Sequence, residues 1–313
     1  MPTSNWKTDN YKFVGKAFDY HYANRMNKLS PILGTRTTSS IDYELTGTGG
    51  YGEMQKYVGD NLNKGAMKRG FKTIITPEEY SNTIDIGYKQ AKIDKSGECR
   101  KTGTRLAESA AMTVYMHAVR CFGNAFDETG TYIGGDDKPW ASDAHPVASK
   151  SSTGRKFIPD EEAGTYSNLI SDALSVSGIT KAQTMANRFI TPDGMAFLCD
   201  FDTLLVSPEL EATAKKICGD DARLDPESPN NSANPVHGMK YIVIGGGRDG
   251  FTAKQWAVCD RRLMKELFNI IYITKPTVFN NELDNPLLDR YTGYADFGIG
   301  WGDARQIIFS NPA

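Results

Sequence analysis

The chain has 313 residues, 39% hydrophobic and 24% charged, which is enough for one large or two modest domains with a proper core and too apolar for a disordered chain. Its 36 basic and 38 acidic residues leave a formal charge of −2, which excludes a globally basic nucleic-acid binder but permits one basic face. No apolar run approaches the roughly 20 residues of a membrane helix, the opening MPTSNWKTDNYKF lacks the apolar stretch of a signal peptide, and five scattered cysteines without a C-x-x-C pair exclude a zinc ribbon or a dithiol motif and read as reduced thiols.

Residues 1–40 are polar and aromatic, with Trp6, Tyr11, Phe13, Phe18, Tyr20 and Tyr22. A short helix is expected at 18–25. Such an arm docks either on its own domain or on a neighbouring subunit. Over 41–92, IDYEL and FKTIITPEEYSNTIDIGYK alternate apolar with polar positions, as half-exposed strands do. Between them TGTGGYGEMQKYVGDNLNKGAMKRG is glycine-rich and polar. Strands on both sides of it predict a long β-hairpin, which has no core of its own and must rest on something else. The other reading is a surface loop of unusual length.

The longest helical signal covers 102–127, where Leu106, Ala110, Val114, Ala118, Cys121 and Ala125 recur at spacings of three and four. Its small residues allow close packing on a sheet. His117, one turn from Val114 and Cys121, reads as a packed or rim histidine rather than a ligand. Residues 128–164 form a long irregular connection. Within it, Asp143-x-His145 is half of a metal site, and without further ligands it reads as structural. Two shorter helices are expected at 166–174 and 180–188, the second capped by Thr180, before the turn Thr191-Pro192-Asp193-Gly194.

The best-defined unit is 196–218. Leu204, Leu205 and Val206 make a short buried strand, Ser207 an N-cap and Pro208 a first helical residue. Glu209 and Glu211 sit near the positive end of the helix dipole, Lys215 and Lys216 near the negative end, and Gly219 stops the helix. Residues 220–235 form a loop, acidic first and then Asn/Pro-rich, without EF-hand spacing. Strands expected at 240–244, 255–259, 268–275, 291–301 and 305–310 make the last third mostly β. With no internal repeat and no long linker, the domains are interwoven rather than sequential.

Motifs for chemistry are sparse. Gly47, Gly49 and Gly52, and again Gly245, Gly247 and Gly250, match the dinucleotide fingerprint G-x-G-x-x-G. That fingerprint needs a strand before it, a helix after it and an acid about 20 residues on. Polar, glycine-broken sequence follows the first. KYIVI precedes the second, but FTAKQWAVCDRRL reads as a return strand, so 245–250 is expected to be a tight hairpin. There is no G-x-S-x-G elbow and no Walker A sequence, and His21, His117, His145 and His237 are the only histidine bases.

The order of elements, the stretch LLV-x-P-x-LE-x-x-A within 203–217, the Asp143–Pro146 region and the closing Gly302-Asp303-Ala304-Arg305 resemble the major head subunit family of Mu-like phages and prophages. The resemblance covers most of 80–313. It implies an α+β chain with the Hong Kong 97-type phage capsid fold: an N-terminal arm at 1–40, an extended β-hairpin loop at 41–92, a peripheral domain with a long spine helix at 93–165, an axial α/β domain at 166–268, and a return to the peripheral sheet at 269–313. It further implies a non-enzymatic virion protein, assembled in the bacterial host cytoplasm. Its partners would be itself, as pentamers and hexamers, then scaffold, portal or decoration proteins, and packaged double-stranded DNA bound without sequence readout; no membrane is involved. Lys64, Lys68, Arg69 and Lys72 in the insertion are candidates for DNA or inter-subunit contact, and Tyr11 and Phe13 in the arm for inter-subunit contact. No catalytic, metal or cofactor residue is assigned. The rival reading is an α+β enzyme using a nicotinamide or flavin cofactor at 245–250.

Overall fold

The computed structural model describes residues 6–25, 29–47, 54, 56–57, 59, 70–93, 101–129, 132–147, 164–192, 194–219, 234–245, 247–281 and 287–312. The arm is a helix, α1 (Trp6–Arg25), of 20 residues, far longer than the short segment expected at 18–25. Its Val14 and Phe18 are buried with Leu106 and Ala107, so the helix is held by tertiary contact where its polar sequence gives little local signal. β1 (Gly34–Thr37) follows. Then β2 (Tyr43–Thr46) and β3 (Lys72–Ile75) pair antiparallel as the two legs of the expected hairpin. Pro77 separates β3 from β4 (Glu78–Gly87), which leaves the hairpin and joins a sheet; α2 (Tyr88–Lys92) closes this part.

Two sheets sandwich α3 (Thr102–Gly123), the helix the small-residue pattern foretold. The first has the order β1-β11-β12-β4, built on the 14-residue strands β11 (Phe268–Asn281) and β12 (Leu288–Trp301). The second has the order β7-β13-β10-β8-β9, with β7 (Leu169–Ile170), β8 (Thr203–Val206), β9 (Lys240–Val243), β10 (Trp256–Cys259) and β13 (Ile307–Ser310). One core joins them: Val114, Ala118 and Phe122 of α3 meet Phe268, Phe297 and Trp301 from the first sheet and Leu205, Ala257 and Phe309 from the second. Trp140 is fully buried at its centre, stacked on Trp301 at 5.6 Å and within 5.4 Å of Phe122, Phe268 and Phe309. The other face of the second sheet is covered by α4 (Val176–Ala186) and α5 (Glu211–Cys218) over Leu204, Val206, Trp256 and Val258.

Four local expectations are corrected. Residues 166–174 are not a helix: β6 (Thr165–Tyr166), paired to β5 (His145–Pro146), and β7 lie there. Buried Asn168 between them donates to the carbonyls of Trp140, Ala304 and Ile307, which fixes the chain in an extended course. The next helix starts at Val176, capped by Ser175, whose Oγ accepts from Gly178 N at 3.1 Å; Thr180 sits inside and bonds back to Val176 O. Ser207 does not cap with its side chain. Its hydroxyl donates to Ala253 O, and a 3-10 turn at Pro208–Leu210 leads into α5. Residues 245–250 are not a hairpin, because β9 and β10 lie on opposite sides of β8.

The expected return strand at 251–263 divides into β10 and α6 (Arg261–Leu267). Asp260, 3% exposed, makes the break: its Oδ1 accepts from Arg262 N and Leu263 N, and its Oδ2 from Asp200 N. Asp260→Ala is expected to cost about 2 kcal/mol, through the lost cap and an orphaned buried N–H. Urea unfolding checks this, and a loss under about 0.5 kcal/mol would show the cap to be idle.

Candidate functional site

Asp143 and His145 do not share a site: Asp143 is exposed, while His145 is buried with its Nδ1 2.6 Å from Asp136 Oδ2. Around this pair lies a closed polar cluster. The His145 ring stacks on Tyr166 at 5.2 Å, and the Arg305 guanidinium lies over Tyr166 at 5.1 Å and Phe197 at 5.6 Å. Burial, and then the charge of Asp303, hold the Tyr166 hydroxyl far above its ordinary range. His145, Phe197 and Arg305 are buried and Tyr166 partly so, and the cluster ties loops together. Among the described residues no group of three His, Cys, Asp or Glu side chains is placed to hold a metal.

The other candidate groups are equally muted. Burial pushes the Cys121 thiol up to about 12 and those of Cys199 and Cys218 to about 11, which makes them poor nucleophiles. His117 is a half-buried ring packed edge-on against Tyr80 and Phe297, and burial lowers its pKa. The glycine stretch after β9 runs into turns, not a helix. It folds onto α3, where Tyr115 OH donates to Gly245 O and Arg120 Nε meets Asp249 Oδ2 at 2.8 Å. The groove beside it, of about 1090 Å³, is lined by Glu108 and Glu211 and by no Lys or Arg among the described residues. Two carboxylates, one of them Glu211 at the start of α5, suit a pyrophosphate badly. In the first fingerprint, Gly47 N donates to Phe71 O at the hairpin base; Gly49 and Gly52 lie outside the described residues.

The surface carries what the interior lacks. Large apolar side chains are exposed on several elements. They are Ile41, Met54 and Tyr57 on the hairpin limb, Phe13 and Tyr20 on α1, Met195 and Leu198 in the turn after α4, and Phe279 and Leu287 at the far end of β11 and β12. Leu198 is 83% exposed. Such apolar side chains, spread over one chain, suit contacts with other chains better than a concave site.

Of the six candidate contact residues, Lys64, Lys68 and Arg69 lie outside the described residues. Lys72 pairs with Glu44 across the hairpin legs. Tyr11 OH donates to Val278 O, which anchors α1 on β11, while Phe13 is 53% exposed. Tyr11 and Lys72 thus serve different elements. Sequence reasoning missed the seat of the hairpin. Ile75 of β3 packs with Leu45 and Ile271 over β12, where a Cβ on Gly298 or Gly300 would stand 2.7 or 2.6 Å from the Ile75 side chain. The alternation Gly298-x-Gly300 is the signal that marks this close approach.

No family model matches the chain, and no curated protein sequence matches it. Solved structures do. The capsid of Ralstonia phage GP4 is 13% identical with a TM-score of 0.52, over 90% of this chain and 86% of that one. The mature capsid of bacteriophage PhiM1 is 11% identical with a TM-score of 0.50, over 90% and 86%. The capsid of an empty GTA particle is 10% identical with a TM-score of 0.50, over 92% and 90%. The fold of this chain is the Hong Kong 97-type capsid fold.

Proposed function

We propose that this chain is a major capsid protein that assembles, as pentamers and hexamers, into the icosahedral head of a tailed phage around double-stranded DNA. The observation that carries the reading is the shared fold over nine-tenths of the chain. In this reading 1–40 is the arm and 41–92 the extended loop. The long-stranded sheet with α3 as spine is the peripheral domain, at 93–165 and 269–313, joined at its edges by β1 from the arm segment and β4 from the loop segment. The five-stranded sheet at 166–268 is the axial domain, to which β13 is added from the end of the chain. The exposed apolar side chains are contacts between copies, each modest alone and multiplied by closure of the shell. DNA is held without base readout, and the host cytoplasm is where heads form. Scaffold, portal or decoration proteins are further partners, and the chain performs no catalysis of its own.

Size tests this directly. Purified protein concentrated into the assembly range is expected to show rings, tubes or shells by size exclusion and negative-stain imaging. A strictly monomeric protein stabilised against heat by a nicotinamide or flavin cofactor would replace the reading with the enzyme.

A further inference from the structure

The five-stranded sheet carries a hollow at one edge and a projection at the other. β9 is one edge strand and β7 the other, with β13, β10 and β8 between them, so about 19 Å separates the edges. Beside β9 lies the groove of about 1090 Å³, lined by Met112 and Met116 of α3, Tyr241 and Val243 of β9, and the acids Glu108 and Glu211. Met112 is 58% exposed. Glu211 is exposed, and no Lys or Arg pairs with it among the described residues. At the β7 side, the chain after α4 folds back on itself: Phe197 N donates to Phe189 O, and Ile190 bridges to Ala196. The root of this turn is fixed, with Phe189 edge-on to Tyr166 ahead of β7 and Phe197 under the Arg305 guanidinium ahead of β13. Beyond the root, Ile190, Met195 and Leu198 are exposed, Leu198 by 83%. Arg188, at the base of the turn, is exposed and has no Asp or Glu partner among the described residues.

We propose that the apolar turn at 190–198 of one copy seats in the α3–β9 groove of the next copy, with Arg188 answering Glu211. This rests on the assembly reading and names one of its contacts. Turn and groove are both apolar, and both carry methionine, whose unbranched thioether adapts to a facing surface. The groove lining holds acids and no Lys or Arg among the described residues, and the turn brings an unpaired cation. Opposite charges of this kind steer and register a contact. The two patches differ and stand at opposite edges of one sheet, so they cannot meet within a copy. A contact between them is head to tail: each copy offers its groove to one neighbour and its turn to the other, and the chain of contacts closes as a ring.

The test places p-benzoylphenylalanine, which bonds to a neighbouring C–H group under near-ultraviolet light, at position 112 of the full-length chain. These chains are mixed into an excess of wild-type chains carrying a heavy-nitrogen label, assembled and illuminated. Mass spectrometry is expected to find the adduct on residues 188–198 of a heavy chain. The reciprocal probe at position 198 is expected to mark α3 or β9 of a heavy chain. Leu198→Asp is expected to fold as wild type, since the side chain is 83% exposed, yet to need about tenfold more protein to assemble. Arg188→Glu and Glu211→Arg are each expected to weaken assembly, and the two together in one chain to recover it. Adducts confined to the light chains, or on another segment such as the 48–69 insertion, overturn the proposal. So does assembly of Leu198→Asp at the wild-type concentration, or a double charge variant no better than either single one. Wild-type chains that never associate overturn the assembly reading itself, and this proposal with it.

Discussion

Arg305→Ala is expected to destabilise the chain by about 3–5 kcal/mol, the cost of leaving a buried partner charge uncompensated. Arg305 is 1% exposed. Its Nη2 donates to Val147 O at 2.8 Å, its Nη1 lies 3.6 Å from Asp303 Oδ2, and its plane covers Tyr166 and Phe197. One side chain therefore binds the segment before residue 148, β6, the loop after α4 and the turn that leads to β13. Alanine removes the cation beside Asp303 and opens a cavity. Arg305→Lys restores charge but not the flat guanidinium that spans two rings, so it recovers only part of the loss. The double variant Arg305→Met, Asp303→Asn removes both charges. It keeps an oxygen able to accept from the backbone N of residue 305, as Asp303 Oδ1 does at 2.9 Å, and is expected to lie much closer to wild type. Urea unfolding followed by the fluorescence of the buried tryptophans reads all three. A single Ala variant within about 1 kcal/mol of wild type would show that the cluster does not hold these segments.

What the sequence revealed depended on whether the cause was local. α3 was legible because Leu106, Val114, Ala118 and Cys121 mark one face, and all are buried. The strand at 203–206 and the parts of β11 and β12 expected at 268–275 and 291–301 were legible because uninterrupted apolar or alternating runs admit few other forms, while the reach of β11 to Asn281 and of β12 from Leu288 was not. For α4 the sequence pointed to Thr180 as the cap, and the start at Val176 behind Ser175 came from packing, since it buries Gly178 and Ile179. The extended course at 165–170 was illegible because its cause, the Asn168 amide, reaches partners 28, 136 and 139 residues away. The topology around β8 was hidden likewise, since strands adjacent in sequence were taken as neighbours, whereas β8 lies between β9 and β10. As for the site, the insertion and its hairpin legs were readable. The glycines that seat it are marked by the alternation Gly298-x-Gly300, but that Ile75 is what they meet emerges only from packing.

Gly298→Ala combined with Gly300→Ala is expected to abolish assembly while leaving a folded chain. At Gly300 an added methyl meets only Ile75, at 2.6 Å from Cδ1 and 2.7 Å from Cγ1. At Gly298 it meets Ile75 Cγ2 at 2.7 Å and also the Pro77 backbone at 3.3 Å. Overpacking of this kind costs about 1–3 kcal/mol per site. The hairpin is the weakest holder of that strain, because its two four-residue legs pair only with each other and rest on the sheet through Leu45 and Ile75. It should lift while the five-stranded sheet stays intact. Hydrogen exchange should then quicken at β2 and β3 and remain slow at β8 and β10. If the hairpin reaches a neighbouring copy, a shift of its root re-aims its whole length. The variant should therefore match a deletion of residues 49–69, soluble but unable to assemble. Ile75→Ala in the Gly300→Ala background removes both clashing atoms, Cδ1 and Cγ1, and should restore both slow exchange and assembly. The same change beside Gly298→Ala should rescue only in part, because the Pro77 backbone stays in place. Equal rescue at both positions would mean that the clash with Ile75 alone governs the seat. Unimpaired assembly of the deletion would instead show that the hairpin plays no part in joining copies.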